Sequence, residues 1–161
     1  MFASKTQADA AAALDEAVQA MKQGLGADLV AVVLFGSQAQ GEADANSDWD
    51  LLLLARRLPE KPWQRHTQLK RLLPEAWRGR VSLLAKTPAE FEAHLPALYL
   101  DVALDGVVLY DTGNYMAQRL AYLRELLARR GLRRERAGGE MTWRWQQAPG
   151  PDWTLEWERR P

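Results

Sequence analysis

The sequence has no cysteine among its 161 residues. Disulfide bonds, thiolate nucleophiles and cysteine-based zinc sites are therefore excluded, and the composition is typical of a protein from a reducing compartment. Histidine is also scarce, at two residues, so a structural zinc site is not expected. A chain of this length is expected to form one domain with its own core.

The sequence also lacks an excess of either charge and any long apolar run. Lys and Arg together number 21, as do Asp and Glu, so a bulk nucleic-acid binder is not expected, although a local basic patch would allow such contact. No segment approaches the roughly 20 apolar residues of a membrane span, and residues 1–5 lack the apolar stretch of a signal peptide. We therefore expect a cytoplasmic protein without a membrane partner.

Apolar periodicity predicts an alternation of helices and strands, and hence an α/β fold. Helical patterns cover residues 10–21 and 62–73, a capping box begins at Thr87, and Asn114 can cap a long helix that Gly131 ends. The β-prone apolar runs predict four strands, at Leu29–Phe35, Asp48–Ala55, Val81–Ala85 and Val107–Tyr110.

The C-terminal residues place apolar side chains at every second position, on both sides of a turn-rich loop at 148–152. These side chains are Met141, Trp143 and Trp145, then Trp153, Leu155 and Trp157. The pattern predicts a Trp-rich β-hairpin over 141–158 that packs on the core or on a second subunit, with base stacking as the less favoured alternative. We expect residues 1–136 to form the domain and residues 137–161 the hairpin extension.

A basic cluster lies between the predicted long helix and the hairpin. Its members are Arg129, Arg130, Arg133, Arg134 and Arg136, on both sides of Gly131. The favoured interpretation is a solvated helix end, where positive charge suits the helix dipole. Contact with an acidic partner or with RNA is the alternative.

A strand followed at once by Gly36-Ser37 is the first part of the motif that indicates function. Gly36 lets the backbone turn tightly and approach a ligand, because it has no Cβ atom. Ser37 can cap the short helix that follows, and a helix N-terminus favours a bound phosphate. Gly41 is expected to end this helix.

Two carboxylates begin the next strand and form the second part of the motif. Asp48 and Asp50 are two residues apart, so their side chains leave the same face while Trp49 points to the other face. Adjacent carboxylates repel one another, and hard oxygen ligands suit Mg²⁺, which also bridges phosphate oxygens. A solvated loop-to-strand junction is the alternative, but the Gly-Ser element eleven residues upstream disfavours it.

The motif resembles the nucleotidyltransferase superfamily that includes DNA polymerase β, most closely its minimal nucleotidyltransferase branch. The branch pattern is Gly-Ser, a short helix and Ser-Asp-X-Asp, here Gly36-Ser37 and Ser47-Asp48-Trp49-Asp50. The resemblance is specific over residues 30–56 and looser to about 111. It implies a mixed β-sheet flanked by helices, with Gly36, Ser37 and Ser47 as nucleotide-binding residues. It also implies that Asp48 and Asp50 bind Mg²⁺ and act in catalysis, transferring a nucleoside monophosphate from ATP or another NTP.

Two positions depart from the family pattern. Gln40 stands where the family usually has arginine, and Ser82 stands where a third carboxylate normally lies on the next core strand. In the family this acid helps to hold the catalytic metal ion and takes the acceptor proton. Glu75, Glu90 and Glu92 are the alternative acids that the sequence offers.

Two functions therefore stay open. The first is a nucleotidyltransferase acting on a protein, an RNA or a small-molecule hydroxyl; the resemblance implies a HEPN-type toxin as partner, with this chain as the antitoxin. The second is a catalytically inactive nucleotide-binding or antitoxin module, which Ser82 and Gln40 favour. Transfer to small substrates such as aminoglycosides has no supporting feature, and a homodimer is a further candidate assembly.

Overall fold

The computed structural model describes residues 5–151 and 153–157, with the backbone alone for residues 5–7. Its helices are α1 (Lys5–Leu25), α2 (Gly36–Gln40), α3 (Pro62–Leu72), α4 (Glu75–Arg78), α5 (Pro88–Ala93), α6 (Ala97–Asp105) and α7 (Tyr115–Arg130). Its strands are β1 (Leu29–Phe35), β2 (Trp49–Ala55), β3 (Val81–Lys86), β4 (Val107–Asp111), β5 (Leu132–Ala137) and β6 (Glu140–Trp145). The predicted α/β fold is confirmed.

Four of the strands form one mixed sheet in the order β3-β2-β1-β4. Strand β1 is antiparallel to both of its neighbours, whereas β2 and β3 are parallel. The two central strands are buried on both faces, in agreement with their continuous apolar sequences. Among the helices in the described part of the chain, none combines the length and apolar character that crossing a membrane requires.

Helices cover both faces of this sheet and so divide the core in two. On one face, Val32, Leu51 and Leu53 pack with apolar side chains of α1 and α3. On the other face, Val33 and Leu52 pack with α5, α6 and α7. Alternate residues of each central strand thus enter different halves of the core, as the period of two requires.

The caps of α5 and α7 show how loop residues fix the helices. Thr87 and Glu90 form the predicted capping box at the start of α5. Asn114 occupies the N-cap position of α7 in a left-handed conformation (φ 56°). Its side chain accepts no hydrogen bond from the first turn of the helix, so the predicted capping role is wrong. Asp111 fills this role, because its carboxylate accepts from the backbone N–H groups of Met116 and Ala117, both at 2.9 Å.

The C-terminal hairpin exists, but its strands differ from the predicted pair. Strand β6 contains Trp143 and Trp145 as expected, yet it pairs with β5 and not with residues 153–157, which are not in a strand. The Gly138-Gly139 turn, with φ of 60° and 88°, suits a tight hairpin. Asp152 and Glu158 lie outside the described residues.

The predicted solvated helix end is wrong for the later arginines of the basic cluster. Arg133, Arg134 and Arg136 lie on β5, after Gly131 has ended α7 in a left-handed conformation. Arg134 and Arg136 are paired with carboxylates elsewhere in the domain. The division of the chain at residue 136, which falls inside β5, stays a prediction.

Candidate functional site

Asp50 lies on the central strand β2, between β1 and β3, at the end of the sheet where α2 begins. It is the second residue of β2 and is paired with Phe35, the last residue of β1. On its other side it is paired with Ser82 of β3. The motif residues of β1 and β2 therefore meet through strand pairing, and Ser82 joins them.

Gly36 is the point of closest approach between the α2 turn and Asp50. Its φ of +72° lies in the left-handed region, which side chains with a Cβ atom rarely adopt. A Cβ atom at this position would also overlap the Asp50 carboxylate oxygen Oδ2. Glycine is thus required here for two reasons, one conformational and one steric, and both bring the carboxylate against the backbone.

The short helix α2 carries the other motif residues away from the end of β1. Its N-cap is Phe35, whose apolar side chain cannot accept a hydrogen bond, so the predicted capping role of Ser37 is wrong. Ser37 is instead the second residue of the helix and is half-buried. Gly41 ends the helix with φ 73°, as predicted.

The two aspartates have different environments. Asp48 is exposed and directly precedes β2, whereas Asp50 is half-buried. Burial raises the pKa of Asp50, the neighbouring Asp48 charge raises it further, and a hydrogen bond from Ser82 opposes both effects. The surroundings of Asp50 therefore disfavour its ionised form relative to that of an exposed aspartate.

Ser47 is part of a compact turn that leads into β2. Its hydroxyl accepts from the backbone N–H of Asp44 at 3.0 Å and donates to the Asp44 carboxylate at 3.2 Å. The Gln38 amide donates to the Ser47 carbonyl at 3.4 Å and ties this turn to α2. The structure thus places Ser47 next to α2, and the Ser47 hydroxyl is hydrogen-bonded within the loop.

Lys70 of α3 is a charged residue near the site that the sequence analysis missed. Its ammonium donates to the carbonyls of Arg78, at 2.8 Å, and Val81. Burial lowers the pKa of Lys70, and the Asp48 carboxylate opposes this effect. A polar helix offers no sequence signal for this position, because the approach to Asp48 depends on how α3 packs beside β3.

The alternative acids do not complete the carboxylate pair. The carboxylate of Glu90 accepts two bonds from Arg65, both at 2.7 Å, and Glu92 contacts Tyr115 and Arg119. Glu75 is exposed at the start of α4. Within residues 5–151 and 153–157, no cluster of three or more Asp, Glu or His side chains could hold a metal ion.

Comparison with known proteins identifies the family of this chain. The family model described as polymerase beta, nucleotidyltransferase matches residues 20–113, which include all of the motif. A Methanocaldococcus jannaschii protein, MJ1305, is 30% identical over 120 residues, covering 72% of this chain and 82% of the relative. Its name marks it as a candidate protein adenylyltransferase.

Solved structures are similar to this chain at lower sequence identity. A toxin–antitoxin crystal structure with AMP-PNP has a TM-score of 0.50 and 22% identity, covering 72% of this chain and 90% of that one. A complex of a tri-AMPylated Shewanella oneidensis HEPN toxin with an MNT antitoxin has a TM-score of 0.45 and 18% identity, covering 72% and 87%. The family match covers more than half of the chain, and the chain therefore belongs to the polymerase β nucleotidyltransferase family.

Proposed function

We propose that this protein binds a Mg²⁺-nucleoside triphosphate, with ATP as the first candidate, beside Gly36, Ser37 and the two aspartates. The observation that carries this proposal is the Asp50 carboxylate packed against the Gly36 backbone, with Asp48 two residues away. The glycine lets the turn backbone come close to a ligand, and the backbone N–H groups of the turn would donate to triphosphate oxygens.

The donor set fits one Mg²⁺ ion. Asp48 and Asp50 supply hard, anionic oxygen ligands, and a cation would favour the ionised form of Asp50, whose pKa is raised by burial and by the Asp48 charge. When bound, the ion would neutralise triphosphate charge and withdraw electrons from the phosphorus under attack. The chain's own residues hold the nucleotide, while Lys70 adds a positive charge close to Asp48.

We further propose a protein hydroxyl as the acceptor and a HEPN-type toxin as the partner, with this chain as its antitoxin. The family relationship to a candidate protein adenylyltransferase supports a protein acceptor. The resemblance of the Gly36-Ser37 and Ser47-Asp48-Trp49-Asp50 motifs to the minimal branch supports the toxin partner, and a toxin–antitoxin structure shares the fold.

A second candidate function is a nucleotide-binding antitoxin module that does not catalyse transfer. The pairing of Ser82 with Asp50 favours it, because a neutral hydroxyl occupies the place beside the aspartates. Serine cannot take the acceptor proton effectively, and general-base catalysis contributes roughly 10²–10⁴-fold in rate. Binding would survive on two carboxylates, whereas transfer would be slow or absent.

The nucleotide proposal is tested by calorimetric titration of Mg²⁺-ATP into wild type and into the double variant Asp48→Asn, Asp50→Asn. We expect at least a tenfold loss of affinity, about 1.4 kcal/mol, because the variant loses both anionic ligands. The double variant Asp9→Asn, Asp15→Asn removes the same charge from the exposed face of α1 and should bind like wild type. Equal affinity in all three proteins would refute the proposed site.

Thermal unfolding of the same proteins distinguishes a lost binding site from a misfolded variant. Since the folded-state pKa of Asp50 is raised, its ionised form destabilises the folded state at neutral pH. The site variant should therefore unfold at the same temperature as wild type or higher.

Incubation with α-labelled ATP and a purified HEPN toxin then separates the two functions: label on the toxin indicates a transferase, and complex formation without label indicates a binding module.

A further inference from the structure

Strand β5 of the hairpin contacts α6 through an almost completely enclosed arginine. The Arg134 guanidinium donates two bonds to the Asp105 carboxylate, at 2.5 and 2.6 Å, and one to Asp101 at 3.2 Å. The side chains of Arg134 and Asp105 are only 11% and 18% exposed. A two-bond pair with this burial is strong and geometrically specific, unlike the exposed pairs that contribute little.

The same Asp105 carboxylate also holds the motif helix. Its Oδ2 atom accepts a 2.9 Å bond from the side-chain amide of Gln40, the last residue of α2. Burial raises the pKa of Asp105, but the bonds from Arg134 and Gln40 outweigh burial and leave it lower than usual. An ionised Asp105 therefore joins β5 to α2.

A second contact links the same two elements. Arg136 of β5 donates to Glu42, which lies just after the Gly41 end of α2. Both of these side chains are about half exposed, at 49% and 48%, so this pair is the weaker one. Arg134, through Asp105, and Arg136, through Glu42, thus both connect β5 to the C-terminal end of α2.

Helix α2 depends on such contacts for its orientation. It has five residues, about one turn, which is too short to be stable alone. Ala39 is its buried residue, and the bonds at Gln40 and Glu42 fix its far end. Its near end is Gly36, against the Asp50 carboxylate, so a tilt of α2 changes the space offered to a triphosphate.

We propose that Arg134 is a positioning residue for the nucleotide site, acting through Asp105 and Gln40, so that hairpin docking and nucleotide binding reinforce each other. This inference rests on the proposed nucleotide function. The hairpin lies beyond residue 113, where the family match ends, whereas Gln40 and Asp105 lie within the match. Reciprocity follows because coupling between two sites acts equally in both directions.

The test compares Arg134→Gln with Arg144→Gln. Arg144 lies on the neighbouring strand of the same hairpin, 64% exposed and paired with Glu135, so it is a matched control. We expect Arg134→Gln to weaken binding of the Mg²⁺-AMP-PNP probe about fivefold to tenfold, with far-ultraviolet circular dichroism unchanged. Arg134→Lys should recover part of this loss because it restores the charge without the two-bond geometry, and Arg144→Gln should bind like wild type.

A double-variant cycle identifies the route. If Arg134 acts through Asp105, then Asp105→Asn should weaken binding similarly, and the combination with Arg134→Gln should be no weaker than either single change.

Hydrogen exchange of wild type supplies a measurement that needs no variant. Added Mg²⁺-AMP-PNP should slow exchange of the β5 and β6 amides, because nucleotide binding fixes α2 and with it the hairpin.

The possible failures are distinguishable. Wild type that does not bind the probe refutes the proposed function itself. Wild type that binds, with equal affinity in Arg134→Gln, refutes the positioning role alone. If Arg134→Gln does not fold, hairpin exchange that is unaffected by the probe in wild type overturns the proposal, and slowed exchange supports it.

Discussion

Ser82 and Asp50 are neighbours across β2 and β3, and their side chains share a hydrogen bond. The serine hydroxyl lowers the pKa of Asp50, but burial and the Asp48 charge outweigh it. A neutral side chain therefore stands where a third negative charge would strengthen cation binding and accept a proton. The two proposed functions differ in the chemistry that they require at this position.

Replacing Ser82 by aspartate should restore the missing acid. We expect Ser82→Asp to increase nucleotidyl transfer to a supplied acceptor by roughly 10²-fold or more, because a general base contributes on this scale. It should also tighten Mg²⁺ or Mn²⁺ binding. Ser82→Asn has similar size without the charge and serves as the control. Wild-type turnover as fast as that of Ser82→Asp would show that another group already fills the role.

At the scale of single elements, α5 is fixed by an ion pair as well as by its capping box. The Arg65 guanidinium of α3 donates two bonds to Glu90, and Glu90 also accepts from the backbone N–H of Thr87. These bonds, with Arg65 first among them, lower the pKa of Glu90 to about 2. The carboxylate thus links α3, α5 and the end of β3.

The depressed pKa of Glu90 predicts a pH-dependent stability. Because the folded-state pKa is lowered, the stabilisation is present above the unfolded value of 4.5 and is lost as pH falls towards 2. Glu90→Gln should lower the melting temperature at pH 7 by about 2–4 °C, because solvent partly screens a pair whose carboxylate is 41% exposed. At pH 2 wild type and Glu90→Gln should have nearly the same melting temperature. Glu16→Gln on the exposed face of α1 is the control, and an equal difference at both pH values would contradict the assignment.

At the scale of the whole molecule, the segment after the hairpin returns to the domain core. Trp157 is 9% exposed, and its ring contacts Phe91 and Tyr122. Its indole N–H donates to the carbonyls of Phe91 and His94, at 3.1 and 3.0 Å. The predicted burial is confirmed for Trp157, although its segment is not in a strand, whereas Trp153 is exposed.

Trp157 should therefore contribute strongly to the stability of the folded chain. We expect Trp157→Ala to destabilise by about 3–5 kcal/mol, the usual effect of removing a buried aromatic side chain. Trp157→Phe should cost less, since it keeps a ring but leaves two carbonyls without their donor. Chemical denaturation measures both, and Trp63→Ala, 64% exposed, is the control. A Trp157→Ala variant as stable as wild type would show that the tail does not dock in solution.

The sequence by itself determined the α/β fold, the four sheet strands, the turn at Gly36, and the two aspartates at the start of the next strand. These features are local: a continuous apolar run, a glycine at a turn, and two carboxylates at a period of two lie in one short segment. Short-range sterics and strand periodicity fix them without reference to distant residues. The resemblance then identified the family, because the same segment carries the family pattern.

Only the tertiary structure decided which distant residues join that segment. The partner of β6, the approach of Lys70 to Asp48, and the bonds from Arg134 to Asp105 all depend on packing between elements far apart in sequence. Period-two apolar patterns mark a strand but not its neighbour, and charged runs such as Arg133–Arg136 suit a helix end and an edge strand equally. Burial of Arg134 against Asp105 resolves that ambiguity, because the two charges leave solvent as a pair.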